Sequence, residues 1–392
     1  MQRNKGRYLP DFAYNKAVIL EAQGRKKEAA PLLIEAYFGF IAMRRRRKAA
    51  QVLKLAEKLG IKLETYGVEN LPADIPEAVF EYGKPIPGKS IGDLIYGLRT
   101  DANMKQGELC KGVCSVSVLS RIERDAIQGK VYYLEAFMQR LGRDIDKYFD
   151  TFLGRDEFAG KQLRDKVRTL TVNHRYEEAK HHLKELKKHK DYQKGVNLQF
   201  IAMEEADIHA GLIGYDEAHM SLLKKAWAIT KDDLDTFDEY DIAKTRLTNY
   251  EIVILNQKAN NMCENEQGSK GIRIYESLLE NMEQYYVDES ERIRMYMTVL
   301  YNYSNELESL GRYAETLESA IKGEGLCIKH FNLRQMPGFM ADRACALYEM
   351  GEKEKSLPYL VVAYYVSALL NRVGNQRAIH NYIKERFNID LD

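Results

Sequence analysis

Proline and long hydrophobic runs are scarce in this sequence. Only 8 of the 392 residues are proline, whereas alanine, leucine, glutamate, lysine and arginine are plentiful, and this balance favours helix. The longest apolar run, "YLVVAYYVSALL" from Tyr359, has 12 residues, but a helix that crosses a bilayer needs about 20. We therefore expect a helical chain with no membrane partner.

Cysteine is also sparse, and the spacing of the cysteines argues against both a disulfide-bonded scaffold and a zinc site. The 5 cysteines are odd in number and form no CxxC pair, which favours a protein of the reducing cytoplasm over a disulfide-bonded one. Cys110 and Cys114 lack the nearby companions that a zinc site requires, so we expect both to serve in packing. The first residues, "MQRNKGRYLPDF", contain no apolar core and predict no secretory signal.

The sequence contains none of the common short motifs of catalysis. It has no GxSxG, no GxxxxGK[ST], no HExxH and no glycine pattern of a dinucleotide-binding fold. We therefore expect neither an enzyme nor a cofactor.

The formal net charge of +1 hides an uneven distribution. Residues 1–66 hold 15 Lys and Arg against 6 Asp and Glu, and the remaining chain holds 44 against 52. A basic end on an acidic body can approach an anion. The densest basic run, Arg44–Lys48, could contact DNA phosphates or could form the solvated start of a helix, and the sequence leaves both open.

A repeated phrase of helix, turn and helix fills the C-terminal part of the chain. Its clearest copy is "LESLGRYAETLESAIKGEG" from Leu307, and the five turns lie near Arg175, Gly214, Gly268, Gly311 and Gly351. Glycine at such a turn ends the first helix in the left-handed conformation. One hairpin cannot bury its own apolar stripe, so we predict that residues 153–392 stack into a superhelix like that of tetratricopeptide repeats.

Two further segments precede the repeats. Residues 1–66 predict one more helical hairpin, with its turn at Gly24 and Arg25, and a third helix that ends at Gly60. Half of the prolines fall between Pro72 and Pro87, so residues 67–89 are predicted to be a linker.

Residues 90–152, here called the helix-turn-helix module, hold five short helical patterns. In "KQGELCKGVCSVSVLSRIER" the small Cys110 suits a helix crossing, and Leu109 and Ile122 suit the core between two helices. Ser115 is a plausible N-cap of the second helix. Residues that could reach phosphates or base edges are Gln106, Ser115, Val116, Ser117, Ser120, Arg121 and Arg124.

This stretch resembles the helix-turn-helix of the Rgg/PlcR-type (RRNPP-like) transcription regulators of Gram-positive bacteria. The matching pattern is "Q-x-E-L-C-x-G-V-C-S-x-S-x-L-S-R-I-E", followed by "LEAFMQRLGRDIDKY". The resemblance implies a lambda-repressor-like (XRE-type) DNA-binding domain joined to a tetratricopeptide-like superhelix that binds a short signalling peptide and dimerises. It covers residues 90–392, and the chain departs from it in the 89 residues that come first and in Lys105, which stands where Ser or Thr is usual.

The resemblance also implies a use for the inner face of the repeats. In stacked hairpins the first helices line that face, and asparagine can pair with both N–H and C=O of an extended peptide. The candidate peptide-binding residues are Arg246, Asn249, Asn256, Tyr301, Asn302 and Asn305.

The sequence thus predicts an all-α, cytoplasmic, dimeric transcription regulator of the quorum-sensing type, with duplex DNA and a short peptide as partners. An adaptor built from repeats, whose helix-turn-helix does not bind DNA, is the alternative. The role of residues 1–89 stays open between a half-repeat docked on the superhelix and a second DNA contact.

Overall fold

A computed structural model describes residues 6–73, 91–127, 129–143, 155–231, 237, 241–285 and 289–391. Within those ranges the regular structure is helical, as the sequence predicts, with no strand. The α-helices are α1 (Leu9–Ala22), α2 (Lys26–Ala42), α3 (Arg46–Lys58), α4 (Ile91–Asp101), α5 (Gln106–Cys110), α6 (Val116–Glu123), α7 (Val131–Arg140), α8 (Arg155–Val172), α9 (Tyr176–Leu186), α10 (Gly195–Leu212), α11 (Glu217–Lys231), α12 (Asn249–Glu264), α13 (Gly268–Tyr285), α14 (Glu289–Ser309), α15 (Tyr313–Lys329), α16 (Met336–Glu349), α17 (Lys353–Leu369) and α18 (Val373–Phe387).

The chain divides into two compact units. The first unit combines Met1–Val79 with Leu300–Asp392, and the second is Phe80–Val299. This division groups the N-terminal segment with the last repeats and the helix-turn-helix module with the earlier ones. The predicted linker 67–89 contributes a short 3-10 helix, Val68–Asn70, and the rest of it beyond residue 73 lies outside the described residues, as does the predicted fifth helix of the module.

Helical hairpins build the repeat region at the predicted turns. The five hairpins are α8–α9, α10–α11, α12–α13, α14–α15 and α16–α17. Glycine takes positive φ at three of the turns, Gly214, Gly311 and Gly351, but His174 and Glu266 hold that conformation at the other two. Gly268 instead begins α13, so the expectation that glycine ends every first helix is wrong at two turns.

The N-terminal segment packs on α17, a helix of the last repeats in the first unit. Helix α2 lies against α17, and the rings of Phe38 and Tyr365 stack with centroids 4.3 Å apart. Gly39 allows this approach, because a Cβ there would lie 2.7 Å from Pro10 and 2.9 Å from Leu369. Residues 6–71 therefore join the core of the last repeats, as a docked hairpin would.

The arginine run at the start of α3 is used inside the first unit. Arg44 Nη2 lies 3.4 Å from Glu324 Oε2, which also lies 3.0 Å from Arg343 Nη1. Arg45 pairs with Asp11 at 2.5 Å, and Arg46 donates to backbone carbonyls of the 3-10 segment. The side chain of Arg44 is buried, so most of this run stabilises the first unit, and within the run only Arg47 is exposed.

No helix among the described residues is long and apolar enough to cross a membrane. The apolar run predicted to be a buried helix is the interior of α17, where Leu360, Val361 and Val362 are buried.

The buried ion pairs of Glu324 give a stability prediction. Glu324→Ala would leave the guanidinium groups of Arg44 and Arg343 without their carboxylate, and breaking a buried pair in this way costs about 3–5 kcal/mol. We expect a clear fall in the urea midpoint of unfolding, followed by circular dichroism. Glu28→Ala removes a carboxylate from an exposed pair with Arg25 and serves as control; equal shifts for the two variants would contradict the prediction.

Candidate functional site

Helix α6 has one buried face and one face open to solvent. Ser115 caps it, because its hydroxyl accepts a hydrogen bond from Val118 N at 3.4 Å, as predicted. Leu119 and Ile122 are buried in the core of the module. The residues predicted to read DNA lie on the other side: Ser115, Val116, Ser117, Arg121 and Arg124 are exposed and Ser120 is half-buried.

The exposed face of α6 carries both polar and apolar chemistry. Val116 is 48% exposed, so its methyl groups are available for contact with a thymine methyl group. Arg121 makes no ion pair in the described part of the chain, and its guanidinium can offer two parallel donors to guanine. Arg124 donates to Ser120 O at 3.1 Å, so its side chain lies along the helix.

Burial keeps the two cysteines of the module protonated. Cys110 lies in the core where α5 approaches α6, and burial raises the pKa of its thiol. Burial also raises the pKa of Cys114 to about 12. A cysteine binds a metal ion as its thiolate. Among the described residues, no group of three His, Cys, Asp or Glu could hold a metal ion.

A buried network of hydrogen bonds joins helices α4, α5 and α6 of the helix-turn-helix module. Arg99 on α4 contacts both carboxylate oxygens of Glu123 on α6, at 2.5 and 3.0 Å. Gln106, the first residue of α5, donates from Nε2 to Glu123 Oε2 at 2.7 Å. Its amide is therefore directed into the module, where it fixes α5 relative to α6, rather than outward as predicted for a phosphate contact.

Lys105 occupies the N-cap of α5, where Ser or Thr is usual, and Glu108 compensates in part for the missing capping side chain. A lysine side chain has no acceptor for the orphan N–H groups of a helix N-terminus. Glu108 supplies the reciprocal half of a capping box, because its carboxylate accepts a hydrogen bond from Lys105 N at 2.7 Å. Helix α5 thus starts at the expected residue with one capping bond instead of two.

Arg140, the last residue of α7, connects the module to the repeats. Its Nη1 donates to Leu109 O and Lys111 O at 2.8 and 2.6 Å, which satisfies carbonyl groups at the end of α5. Its Nη2 lies 3.2 Å from Glu251 Oε1, and both side chains are buried. One guanidinium therefore binds the turn of the helix-turn-helix and the first turn of α12 together.

Glu251 is held by several groups besides Arg140. It forms a capping box with Thr248, accepts a hydrogen bond from the Thr230 hydroxyl at 2.8 Å and lies 3.6 Å from Lys231 Nζ. Burial alone would raise the pKa of its carboxyl, but the two cations and these hydrogen bonds outweigh it and lower the pKa to about 2. Glu251 is therefore a buried carboxylate at neutral pH.

The turn between α5 and α6 lies directly on the repeats. A Cβ at Gly112 would lie 2.4 Å from Thr230 Cα, and Gly112 has φ +68°. Only glycine suits both the close approach and this conformation. The module is therefore docked through its turn as well as through Arg140.

Further contacts follow the same edge of α7. Lys130 pairs with Asp191 at 2.6 Å, and Glu135 pairs with Arg164 at 3.0 Å. Gln139 Oε1 accepts a hydrogen bond from Asn249 N at 3.0 Å. These contacts distribute the docking along α7, so the module and the repeats form one continuous packed body within the second unit.

Three of the predicted peptide-binding residues lie in this docking region or beside it. Arg246 donates to Arg140 O at 3.3 Å, and its guanidinium lies over the ring of Tyr285, 4.5 Å from the centroid. Asn249 begins α12 next to Gln139, and Asn256 is buried two turns further along. The structure therefore brings Arg246 and Asn249 to the module.

The other three predicted peptide-binding residues, Tyr301, Asn302 and Asn305, share one stretch of α14 in the first unit. Tyr301 and Asn302 are half-buried and Asn305 is exposed. The Tyr301 ring packs edge-on against Phe339, with centroids 5.7 Å apart, and over Gly338 of α16. These residues lie on first helices of their hairpins, as predicted.

Sequence reasoning missed Arg99, Glu123, Arg140 and Glu251. Each is a charged residue on a helix, a pattern typical of a solvated surface. The signal available for Glu123 was its place at the end of "SRIE", and for Glu251 the capping box "TNYE" from Thr248.

The lowered pKa of Glu251 makes a pH prediction. The pKa of its carboxyl in the fold, about 2, lies below the ordinary glutamate value of 4.5, so the carboxylate stabilises the fold above pH 4.5 and that contribution is lost as pH falls toward 2. At neutral pH the contribution is on the order of 3 kcal/mol. We expect Glu251→Gln to lower the urea midpoint at pH 7, and we expect its difference from the wild-type midpoint to be smaller at pH 3, which lies between the folded and unfolded pKa values. Glu354→Gln, an exposed change on α17, is the control; a Glu251→Gln difference that is the same at both pH values would contradict the assignment.

Comparison with known proteins identifies the fold. No family model and no curated protein sequence matches the chain. Among solved structures, PlcR of Bacillus thuringiensis in complex with the peptide PapR7 and DNA is 22% identical, with a TM-score of 0.50, over 75% of this chain and 100% of that one.

Two further solved structures match the chain at lower similarity. ComR from S. thermophilus, in complex with DNA and its signalling peptide ComS, is 16% identical over 74% of this chain and 97% of that one, with a TM-score of 0.42. The SHP pheromone receptor Rgg2 of Streptococcus dysgalactiae is 14% identical over 76% and 100%, with a TM-score of 0.39. The chain thus shares the helical fold of PlcR.

Proposed function

We propose that this chain is a DNA-binding transcription regulator whose repeats bind a short signalling peptide. The observation that carries the proposal is α6, a capped helix whose polar face is exposed while its apolar face fixes it in a docked helix-turn-helix module. The PlcR structure with this fold holds both a peptide and DNA. Neither the sequence motifs nor the side-chain clusters described above supply a catalytic function.

In this proposal α6 enters the major groove. Val116, Ser117, Ser120 and Arg121 contact base edges, and Arg124 and the N-terminal end of the helix contact phosphates. A dimer would place two such helices on a two-fold site, with half-sites one helical turn apart. Gln106 acts through Glu123, as a positioning residue.

A peptide on the repeats can reach the module through α12. That helix carries Glu251, which binds Arg140, and on its other positions Asn249 and Asn256. A ligand that binds one placement of α12 more tightly than another can shift the placement of the module by at most that difference in binding free energy. This supports a peptide-responsive regulator of the quorum-sensing type.

An adaptor with a silent helix-turn-helix is the second candidate. It is favoured by the charge of residues 88–150, which hold 10 basic and 9 acidic residues, because DNA-binding domains usually carry a basic excess. Under this reading the module would serve only as a part of the packed second unit.

Binding to duplex DNA separates the two candidates. We expect the full chain to bind random duplex DNA with an affinity that falls steeply with salt, and to select a defined sequence from a random pool. Arg121→Ala should weaken binding to the selected sequence roughly tenfold or more and binding to random DNA much less. Lys270→Ala, an exposed change on α13, is the control.

Two outcomes would contradict the DNA assignment in different ways. Absence of binding at low salt would favour the adaptor. Equal losses for selected and random DNA in Arg121→Ala would make Arg121 a phosphate contact without a role in sequence reading.

The peptide assignment has its own test. A chromosomal search beside the binding sites for a small peptide gene supplies the candidate ligand, and its effect on DNA affinity is measured by titration. We expect Asn302→Ala or Asn305→Ala to reduce the response to the peptide while the DNA affinity of the free protein is unchanged. An unchanged response in both variants would place the peptide elsewhere on the repeats.

A further inference from the structure

A buried histidine joins α11 to α12 in the second unit. His219, the third residue of α11, is fully buried. Its Nε2 lies 3.3 Å from Oε1 of Gln257, and its Nδ1 lies 2.9 Å from Nδ2 of Asn261. Both partners are buried residues of α12. The imidazole therefore uses both of its nitrogens to hold the two helices together.

The orientation of the Asn261 amide is fixed by groups other than the histidine. Its Nδ2 donates to the backbone carbonyl of Asp216 at 3.1 Å, and a carbonyl oxygen can only accept. Its Oδ1 accepts a hydrogen bond from Asn265 Nδ2 at 3.4 Å, and that nitrogen also donates to Tyr215 O at 2.7 Å. Exchanging the oxygen and nitrogen of the Asn261 amide would break two of these bonds. Asn261 therefore presents an N–H donor to the ring.

This donor decides which ring nitrogen carries the proton. Nδ1 of His219 accepts the N–H of Asn261, so it carries no hydrogen, and a neutral imidazole then has its proton on Nε2. Nε2 can in turn donate to Oε1 of Gln257. The neutral Nε2–H form thus satisfies both contacts, whereas a proton on Nδ1 would set two N–H donors against each other across 2.9 Å.

The charged groups that face the ring come from α10 and from the turn before α11. Asp216 Oδ1 accepts a hydrogen bond from His219 N at 2.8 Å and also lies 2.8 Å from His209 Nε2. Asp207 of α10 acts on the ring through its charge, and the Tyr215 ring lies edge-on to the imidazole with centroids 5.1 Å apart. In the described part of the chain the imidazole forms no hydrogen bond to a carboxylate, so no anion directly compensates a charge on the ring.

The surroundings of His219 favour its neutral form, in agreement with the hydrogen bonds. Burial has the largest effect and lowers the pKa of the imidazole, and the charge of His209 lowers that pKa further. The hydrogen bond with Gln257 and the charges of Asp207 and Asp216 raise the pKa by less. The pKa of His219 therefore lies below the ordinary histidine value, and the ring is neutral at pH 7.

The contact between α11 and α12 reaches the helix-turn-helix module at its other end. His219 binds α12 near the C-terminus of that helix. Near the N-terminus of α12, Glu251 accepts a hydrogen bond from the Thr230 hydroxyl of α11 and pairs with Arg140 of the module. The same two helices are thus joined at the histidine and at the anchor of the module, so the placement of the anchor depends on both contacts.

We propose that His219, Gln257 and Asn261 form an acid-sensitive latch that holds α12 against α11 while the imidazole is neutral. A proton taken up from solvent by Nδ1 turns that nitrogen into a donor, so the bond to Asn261 is lost and a charge without a directly bonded anion is buried. The latch then opens, and α12 shifts relative to α11 together with the anchor of the module. The consequence for DNA rests on the proposed DNA-binding function: acid weakens binding to the selected sequence.

The pH range of the latch follows from the direction of the pKa shift. Because folding lowers the pKa of His219 below 6.5, the neutral imidazole stabilises the fold in full above pH 6.5, and this contribution is lost as pH falls toward the folded pKa. The carboxylate of Glu251 contributes in full down to pH 4.5. A response that separates His219 variants from the wild type between pH 6.5 and pH 4.5 therefore belongs to the latch and not to the Glu251 anchor.

The tautomer is tested by NMR of the full chain with 15N-labelled histidine. The signals of His219 are those that disappear in His219→Gln or, should that variant fold poorly, in His219→Asn. We expect a bare Nδ1 and a protonated Nε2 above pH 7, and a titration of this ring below pH 6.5. A proton on Nδ1 above pH 7, or a titration at or above pH 6.5, would overturn the inference.

The opening of the latch is tested by urea unfolding at pH 7.5 and pH 5.5. We expect the wild-type midpoint to fall more between these pH values than the midpoint of His219→Gln, since the variant has no imidazole to protonate. His181→Gln, an exposed change on α9, is the control and should behave as the wild type. An equal fall in the wild type and in His219→Gln would show that His219 is not the sensitive group.

The link to the module is tested by binding of the selected duplex over the same pH range. We expect the affinity of the wild type and of His181→Gln to fall about fivefold or more beyond any fall seen for His219→Gln. The same pH dependence in all three chains would overturn the link and the inference with it. Absence of DNA binding at pH 7.5 would instead overturn the proposed function, and the tautomer and the unfolding midpoints would still decide whether the latch exists.

Discussion

The ion pair between Arg140 and Glu251 fixes the helix-turn-helix module on the neighbouring repeats. It joins the end of α7, the carbonyl groups at the end of α5 and the N-terminus of α12 through one buried guanidinium. Burying two charges is costly unless other hydrogen bonds compensate, and here the carbonyl groups of Leu109 and Lys111 and the Thr230 hydroxyl supply three such bonds, although Arg140 Nε has no hydrogen-bond partner in the described part of the chain. The helix-turn-helix module is consequently a part of the second unit's packed interior rather than a domain on a free tether.

The close contact at Gly112 adds a steric constraint to that electrostatic one. A side chain at this turn would displace Thr230, so the turn and the end of α11 can move only together. A displacement of α11 or α12 would therefore act directly on the turn that precedes α6. Separately, the hydrogen bonds among Arg99, Gln106 and Glu123 hold α4, α5 and α6 together within the module.

Local chemistry made much of the fold predictable. The Ser115 cap, the buried Leu109 and Ile122 and the hairpin turns follow from residues within a few positions of one another. The buried charges do not: Arg140 and Glu251 are 111 residues apart, and Arg44 and Glu324 are 280 apart. A charged residue on a helix gives no sequence sign of burial, because its partner is fixed only when distant helices pack. For the same reason Arg246 and Asn249, predicted to face a peptide, contact the module.

The N-terminal segment has a practical consequence for anyone who shortens this chain. Its position before the module suggests a dispensable extension, and the similar structures align with about three quarters of the sequence. Yet Phe38 stacks on Tyr365, and Arg44 pairs with Glu324. A chain that began at the helix-turn-helix module would therefore expose the apolar surface of α17 and leave Glu324 without its Arg44 partner. A truncated protein would therefore be prone to self-association through exposed apolar surface, and its behaviour would not represent that of the full chain.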